Sequence, residues 1–280
     1  MRQMNTARRQ GHWDARAAGN FIAGGSGTGL VLASAMAFAL GHDVTVPLLA
    51  GLVLVGLGLS LVWLEIGKPW RALNVFFHPQ TSWMTREGIL AGPLLVAGAA
   101  AAWSGNALAL ALAALLAAGF LYCQARILRA ARAIPAWSHP RTVPLIMLTG
   151  LVEGWGLFLL LGAPSRPMIA AALLAAIARE IAREAWRRGV VAAAAPEGTL
   201  AWFARPEVRV LQGLRVAAML LLALGLAGFG AAASAGGALA AVTGWFLKAI
   251  LVTRAAYTRG ARIPITPTRG RSAARAVDPS

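Results

Sequence analysis

Two carboxylates frame the segment with the most chemical potential in this chain. Glu65 and Glu87 lie at the exit of one apolar stretch and the entry of the next, and the connection between them carries Lys68, Arg71, Asn74, His78, Ser82 and Arg86 among aromatic residues. Carboxylates at the mouth of a helical hairpin can exchange protons with a ligand held at the membrane interface. Their plainer roles are an i,i+3 pair between Glu65 and Lys68, and an acidic residue favoured by the helix dipole at Glu87, with Thr85 as the cap. A second chemical pair is Glu153 and Lys248, each well inside an otherwise apolar run. Glu153 lies about ten residues into its run, roughly 15 Å deep at 1.5 Å per residue, where an ionisable group is costly and is either paired or functional. The two are expected to form an ion pair or to mark a proton path.

Other chemistries are excluded. His12, His42, His78 and His139 all lie near the ends of apolar runs or between them, so no pair can ligate a haem b from facing helices. Cys123 is the single cysteine, which removes disulfides, cysteine-rich zinc sites and iron–sulfur clusters held by this chain alone. Gly24-Gly25-Ser26-Gly27-Thr28-Gly29 lies inside an apolar run with no preceding strand, which excludes a nucleotide loop and favours close helix packing.

The elements that position these residues follow from composition. Of 280 residues, 58% are hydrophobic and 13% charged, against about 25% charged in soluble domains. An ordinary soluble enzyme and a nucleic-acid binder are both excluded. A spanning helix needs about 20 apolar residues. Spans are expected at about 19–41, 44–66, 87–103, 106–128, 143–162, 167–187, 211–232 and 236–257. Breaks between them fall at Trp103–Asn106, Pro164–Pro167 and Ser234–Gly237. The fold class is therefore an all-α polytopic membrane protein of eight helices: a cytoplasmic segment 1–18, a membrane domain 19–257 and a flexible cytoplasmic tail 258–280.

Charge tests the span count. The net charge is +16, from 26 Lys and Arg against 10 Asp and Glu. With eight spans, every Lys and Arg except Arg166 falls on one side, which the positive-inside rule assigns to the cytoplasm together with both termini. Glu180–Arg183 and Glu184–Arg188 have helical pair spacing, as in a helix leaving the membrane for water or a partner. The ten tryptophans mostly fall near span ends, as in an interfacial belt.

The segment between the second and third spans resembles the hallmark of a known family. Glu65, then Gly67, Pro69, Arg71, Ala72 and Asn74, followed by Ser82 and Glu87, are arranged as in the membrane-anchor subunits of complex iron–sulfur molybdoenzymes, of the dimethyl sulfoxide reductase anchor and polysulfide reductase type. Trp13–Asn20 and Tyr122–Arg126 are similar to the phenylacetyl-CoA:acceptor oxidoreductase branch. Where Glu65 stands, the dimethyl sulfoxide reductase anchors carry a histidine.

The resemblance implies a quinone site, for menaquinone or ubiquinone, formed by Glu65, Arg71, Asn74, His78, Ser82 and Glu87, with Glu87 and Glu65 handling protons. It also implies that iron–sulfur clusters and molybdopterin reside on partners: a four-cluster ferredoxin-like subunit and a molybdopterin catalytic subunit, both on the cytoplasmic side of a bacterial inner membrane. The expected function is to pass electrons between those clusters and the quinone pool. Two other functions are open, a secondary transporter using Glu153 and Lys248 and a purely structural tether. No nucleic-acid partner is expected.

Overall fold

A computed structural model describes residues 3–5, 7–65 and 76–262. Arg71 and Asn74, with the rest of 66–75 and the tail from 263 onward, lie outside the described residues, as does the side chain of Glu65. The helices are α1 (Ala15–Ala39), α2 (Thr45–Glu65), α3 (Trp83–Ser104), α4 (Ala107–Ala130), α5 (Pro135–Ser138), α6 (Thr142–Leu161), α7 (Arg166–Ala192), α8 (Glu197–Phe203), α9 (Pro206–Leu226) and α10 (Gly230–Ala249). A π-helical turn, Ile250–Arg254, continues α10. Two short strands, β1 (Gln3–Asn5) and β2 (Ala261–Arg262), pair antiparallel.

Among the described residues, α1, α2, α3, α4, α6, α9 and α10 with its π turn are long and apolar enough to cross a membrane. The chain is thus an all-helical, multi-pass membrane protein with seven such helices. The sixth expected span corresponds to α7, whose 27 residues reach about 40 Å. Its second half carries Arg179, Glu180, Arg183, Glu184, Arg187 and Arg188, too many charges for an apolar span. It nevertheless runs antiparallel to α6. Trp186, near its end, donates from Nε1 to Ala136 O (3.0 Å) and Thr142 Oγ1 (3.1 Å) at the start of α6.

Helix α1 is central and packs on α2, α4, α6 and α10. Its glycines permit this. A methyl group on Gly27 would lie 2.8 Å from Val55 N of α2, and one on Gly29 would collide with Gly150 O of α6. Apolar surface gives no driving force between helices in lipid, so close backbone approach supplies the packing instead. Asp14 starts α1, accepting from Arg16 N (2.7 Å) and from Arg16 Nε (3.0 Å), which holds its carboxyl below the usual carboxylate range.

The reversal between α3 and α4 falls where expected. Gly105 takes φ +64°, and Asn106 caps α4 by accepting from Ala109 N (3.0 Å). The expected break at Ser234–Gly237 does not exist. The chain reverses at Gly228, with φ +117°, and Ser234–Gly237 lie within α10. Gly236 there abuts Leu222 and Ala218 of α9, and Gly237 abuts Gly156 of α6. The small residues serve packing, while a single glycine makes the turn.

The segments before α1 and after the π turn meet at one end of the bundle. Trp13 stacks on Trp137 with ring centroids 4.8 Å apart, Trp137 Nε1 donates to Leu251 O (2.8 Å), and Gln10 Nε2 donates to Val252 O (3.0 Å). The π turn leaves these carbonyls free to accept. Trp137, Trp186 and Trp202 are buried in this end, which corrects the belt expectation for them. Trp63 and Trp103, 59% and 95% exposed, keep belt-like positions.

Candidate functional site

Glu87 sits in the first turns of α3. Ser82 caps that helix, its Oγ accepting from Thr85 N (3.2 Å); the cap is Ser82 and not Thr85, which is buried in the first turn. Arg86 fixes the helix entry, donating from Nε to Pro79 O (2.7 Å) and from Nη2 to Gln80 O (2.8 Å), with its guanidinium 4.1 Å from the Trp83 ring centroid. Arg126 of α4 contacts the same ring at 4.2 Å. With Arg86 turned outward onto the loop, the next residue faces the bundle, and Glu87 is only 4% exposed.

The side-chain amides of Asn20 of α1 and Gln124 of α4 lie within hydrogen-bonding reach of the Glu87 carboxyl. Gln124 Nε2 donates to Asn20 O (3.2 Å). Three acceptors in this cluster, Glu87 Oε1, Gln124 Oε1 and Asn20 Oδ1, have no hydrogen-bond partner. Among the described residues no ion pair reaches Glu87. Buried polar groups left without partners are rare and call for a ligand or water.

Space is present on both sides of this carboxyl. A groove of 560 Å³ runs between α2 and α3, lined by Gly56, Ser60, Trp63, Met84, Gly92 and Glu87 among others. A pocket of 140 Å³ lies toward α1, lined by Trp13, Asn20, Phe21, Ile127 and again Val62, Met84 and Glu87. Gly56 and Gly92 add no side chain to the groove wall, and a methyl group on either would meet nothing within 4 Å. A largely apolar groove with a buried carboxyl in its wall fits an apolar ligand whose polar head donates hydrogen bonds. A quinol, with two ring hydroxyls and an isoprenoid tail, has that chemistry.

The expected site residues divide as follows. Glu87 lines both cavities. Ser82 supports it as the helix cap. His78 is exposed, and its carbonyl accepts from Ser82 N (3.0 Å); it lines neither cavity. Arg71, Asn74 and the Glu65 side chain are outside the described residues. Asn20 and Gln124 were not singled out from the sequence as site residues. An amide within an apolar span was the available signal.

Glu153 and Lys248 meet. Lys248 Nζ lies 2.6 Å from Glu153 Oε2, and both side chains are fully buried. Nζ also donates to Phe21 O (2.9 Å), Ser26 Oγ donates to Glu153 Oε2 (2.9 Å), and Trp245 Nε1 donates to Ser26 Oγ (2.8 Å). Gly25 and Gly244 give this pair its room; a methyl group on Gly25 would collide with Lys248 Nζ, and one on Gly244 would lie 2.8 Å from Glu153 Oε1. Gln124 and Lys248 thus donate to consecutive carbonyls of α1, Asn20 and Phe21. The two polar centres adjoin the same turn of the central helix.

Among the described residues no three His, Cys, Asp or Glu side chains converge as a metal site. Compared with known proteins, the chain matches no family model and no curated protein.

Proposed function

We propose that this chain is a quinone-reactive membrane anchor of an oxidoreductase complex in the bacterial cytoplasmic membrane. Its partners would be an iron–sulfur subunit with ferredoxin-like clusters and a molybdenum or tungsten pterin subunit, both cytoplasmic. The observation that carries this reading is the position of Glu87. The last carboxylate of the sequence pattern is a buried carboxyl in the wall of the α2–α3 groove, with no ion pair among the described residues and one oxygen open. A quinone bound there supplies two-electron, two-proton redox chemistry between the partner's clusters and the membrane pool.

The residues of this chain have the following roles. The groove of Gly56, Trp63, Met84 and Gly92 takes the apolar tail and excludes water from the head. Glu87 Oε1 accepts from a ring hydroxyl and takes or returns its proton. Asn20, which lines the smaller pocket beside Glu87, orients the head. The loop bearing Glu65, Arg71 and Asn74 is assigned by the sequence pattern to the same site.

In this reading α7 is an eighth crossing, and both termini are cytoplasmic. Supporting it are the antiparallel contact of α7 with α6, and the sharing of Glu180 by Arg179, Arg183 and Arg215, which lowers the cost of charge within the helix bundle. The exclusion of all Lys and Arg but Arg166 from one face supports the orientation.

The test is Glu87→Gln in the isolated complex. Electron exchange with a short-chain quinone analogue falls by about 10²-fold, the usual scale of a lost acid–base group, while substrate turnover with an artificial dye is retained. Equal loss of both activities would mean an assembly defect and would remove the proton role from Glu87.

A further inference from the structure

A second cavity, of 420 Å³, lies between α7, α8, α9 and the π turn, and shares no lining residue with either cavity at Glu87. Its walls combine two chemistries. Arg183, Arg187 and Arg215 supply guanidiniums beside the carboxylate of Glu184; Trp202, Leu211 and Leu251 supply apolar surface. The charges are not balanced within the chain. Arg179, Arg183 and Arg215 all pair with the one carboxylate of Glu180, and Arg187 and Arg188 both pair with Glu184.

Arg215 is the informative residue. Its side chain is 3% exposed and lines the cavity. Its Nε lies 3.0 Å from Glu180 Oε1 without hydrogen-bond geometry, and its Nη2 has no partner. A buried guanidinium with open donors is costly unless an acceptor completes it. Glu180 lies against Nε alone, which leaves Nη2 without an acceptor. An oxygen-rich anion with several acceptors, such as a phosphate, matches the planar donor forks. The apolar half of the wall matches an anion carried on a hydrocarbon body.

We propose that this cavity binds the phosphate of an acidic phospholipid, with Arg215, Arg187 and Arg183 on the phosphate and Trp202, Leu211 and Leu251 against the glycerol and upper acyl chains. Basic pockets between membrane helices are known to hold such headgroups. The bound lipid ties the charged half of α7 to α9 and the π turn, joining the helix of weakest membrane character to the rest of the bundle. This site does not depend on the quinone reading.

The test uses the full chain in mild detergent, stripped of lipid. Dioleoyl phosphatidylglycerol, dioleoyl phosphatidylcholine and inorganic phosphate are added separately, and retained lipid is counted by native mass spectrometry alongside the melting temperature. Phosphatidylglycerol is expected to bind and to raise the melting temperature, while phosphatidylcholine does neither. Arg215→Gln and Arg187→Gln each weaken phosphatidylglycerol retention at least tenfold, and the exposed Arg209→Gln on α9 does not. Arg187 is 38% exposed, so its variant keeps the test available should Arg215→Gln fail to fold. Stabilisation by inorganic phosphate with the same arginine dependence supports the phosphate site and assigns it a soluble source. Equal retention of the two lipids, or phosphatidylglycerol retention unchanged in Arg187→Gln, overturns the proposal.

Discussion

At the scale of the residue, the two buried carboxyls differ in how they are satisfied. Glu153 has a cationic partner in Lys248 and accepts from Ser26, whereas Glu87 has no ion pair among the described residues and lines two cavities. The first carries its counter-charge within the bundle and the second invites a ligand. Removing one member of a buried pair strands the other charge, at a cost of ~3–5 kcal/mol. Lys248→Met and Glu153→Gln alone should therefore each lower the unfolding midpoint in detergent sharply. The double variant should be less damaged than the two effects added together. Additive losses would show that the pair is not coupled. The sequence revealed Glu153 because charge inside an apolar run is conspicuous, and Glu87 because it closes the polar loop pattern that begins at Glu65. It did not reveal Asn20 and Gln124 as neighbours of Glu87, because uncharged amides on two different helices become related only through packing across α1. Nor did it show His78 on the surface, since a loop's side-chain direction is not encoded in its spacing.

At the scale of the element, glycine has two separate uses. Gly29, Gly150 and Gly154 bring α1 and α6 into backbone contact, while Gly56 and Gly92 line a groove with open space before them. Gly154→Val should cost ~1–3 kcal/mol through overpacking, read as a lower melting temperature. Gly213→Ala on α9, where a methyl group meets nothing, should be neutral or stabilising by up to ~1 kcal/mol from helix propensity. Gly92→Leu should leave the melting temperature near wild type and raise the KM for a quinone analogue about tenfold by filling the groove; an unchanged KM would detach the groove from function. Element boundaries were legible where a turn residue sits alone, as at Gly105-Asn106. They were not legible at Ser234–Gly237. Small residues in lipid mark close packing as readily as a chain reversal, and only Gly228's backbone conformation decides between the two.

At the scale of the whole molecule, the charge partition and the packing of α7 bear on one topology. The eight-crossing account predicts opposite accessibility for the two ends of the bundle. In a Cys123→Ala background, an impermeant maleimide applied to intact spheroplasts should label Ser104→Cys in the α3–α4 turn. It should label Arg132→Cys, at the end shared by the termini, only after lysis. Labelling of Arg132→Cys in intact spheroplasts would invert the orientation and place the Glu65–Glu87 segment outside. The central claim is that this chain links a cytoplasmic iron–sulfur and molybdenum or tungsten assembly to the quinone pool. Its most direct test is isolation of the tagged chain from its own membranes in mild detergent, followed by metal analysis and assay with a quinone analogue. The account predicts that iron, acid-labile sulfide and molybdenum or tungsten accompany the chain, and that the isolated assembly exchanges electrons with the quinone. A chain that emerges intact and without metal-bearing partners, or an assembly that exchanges electrons with dyes and never with quinone, would contradict it.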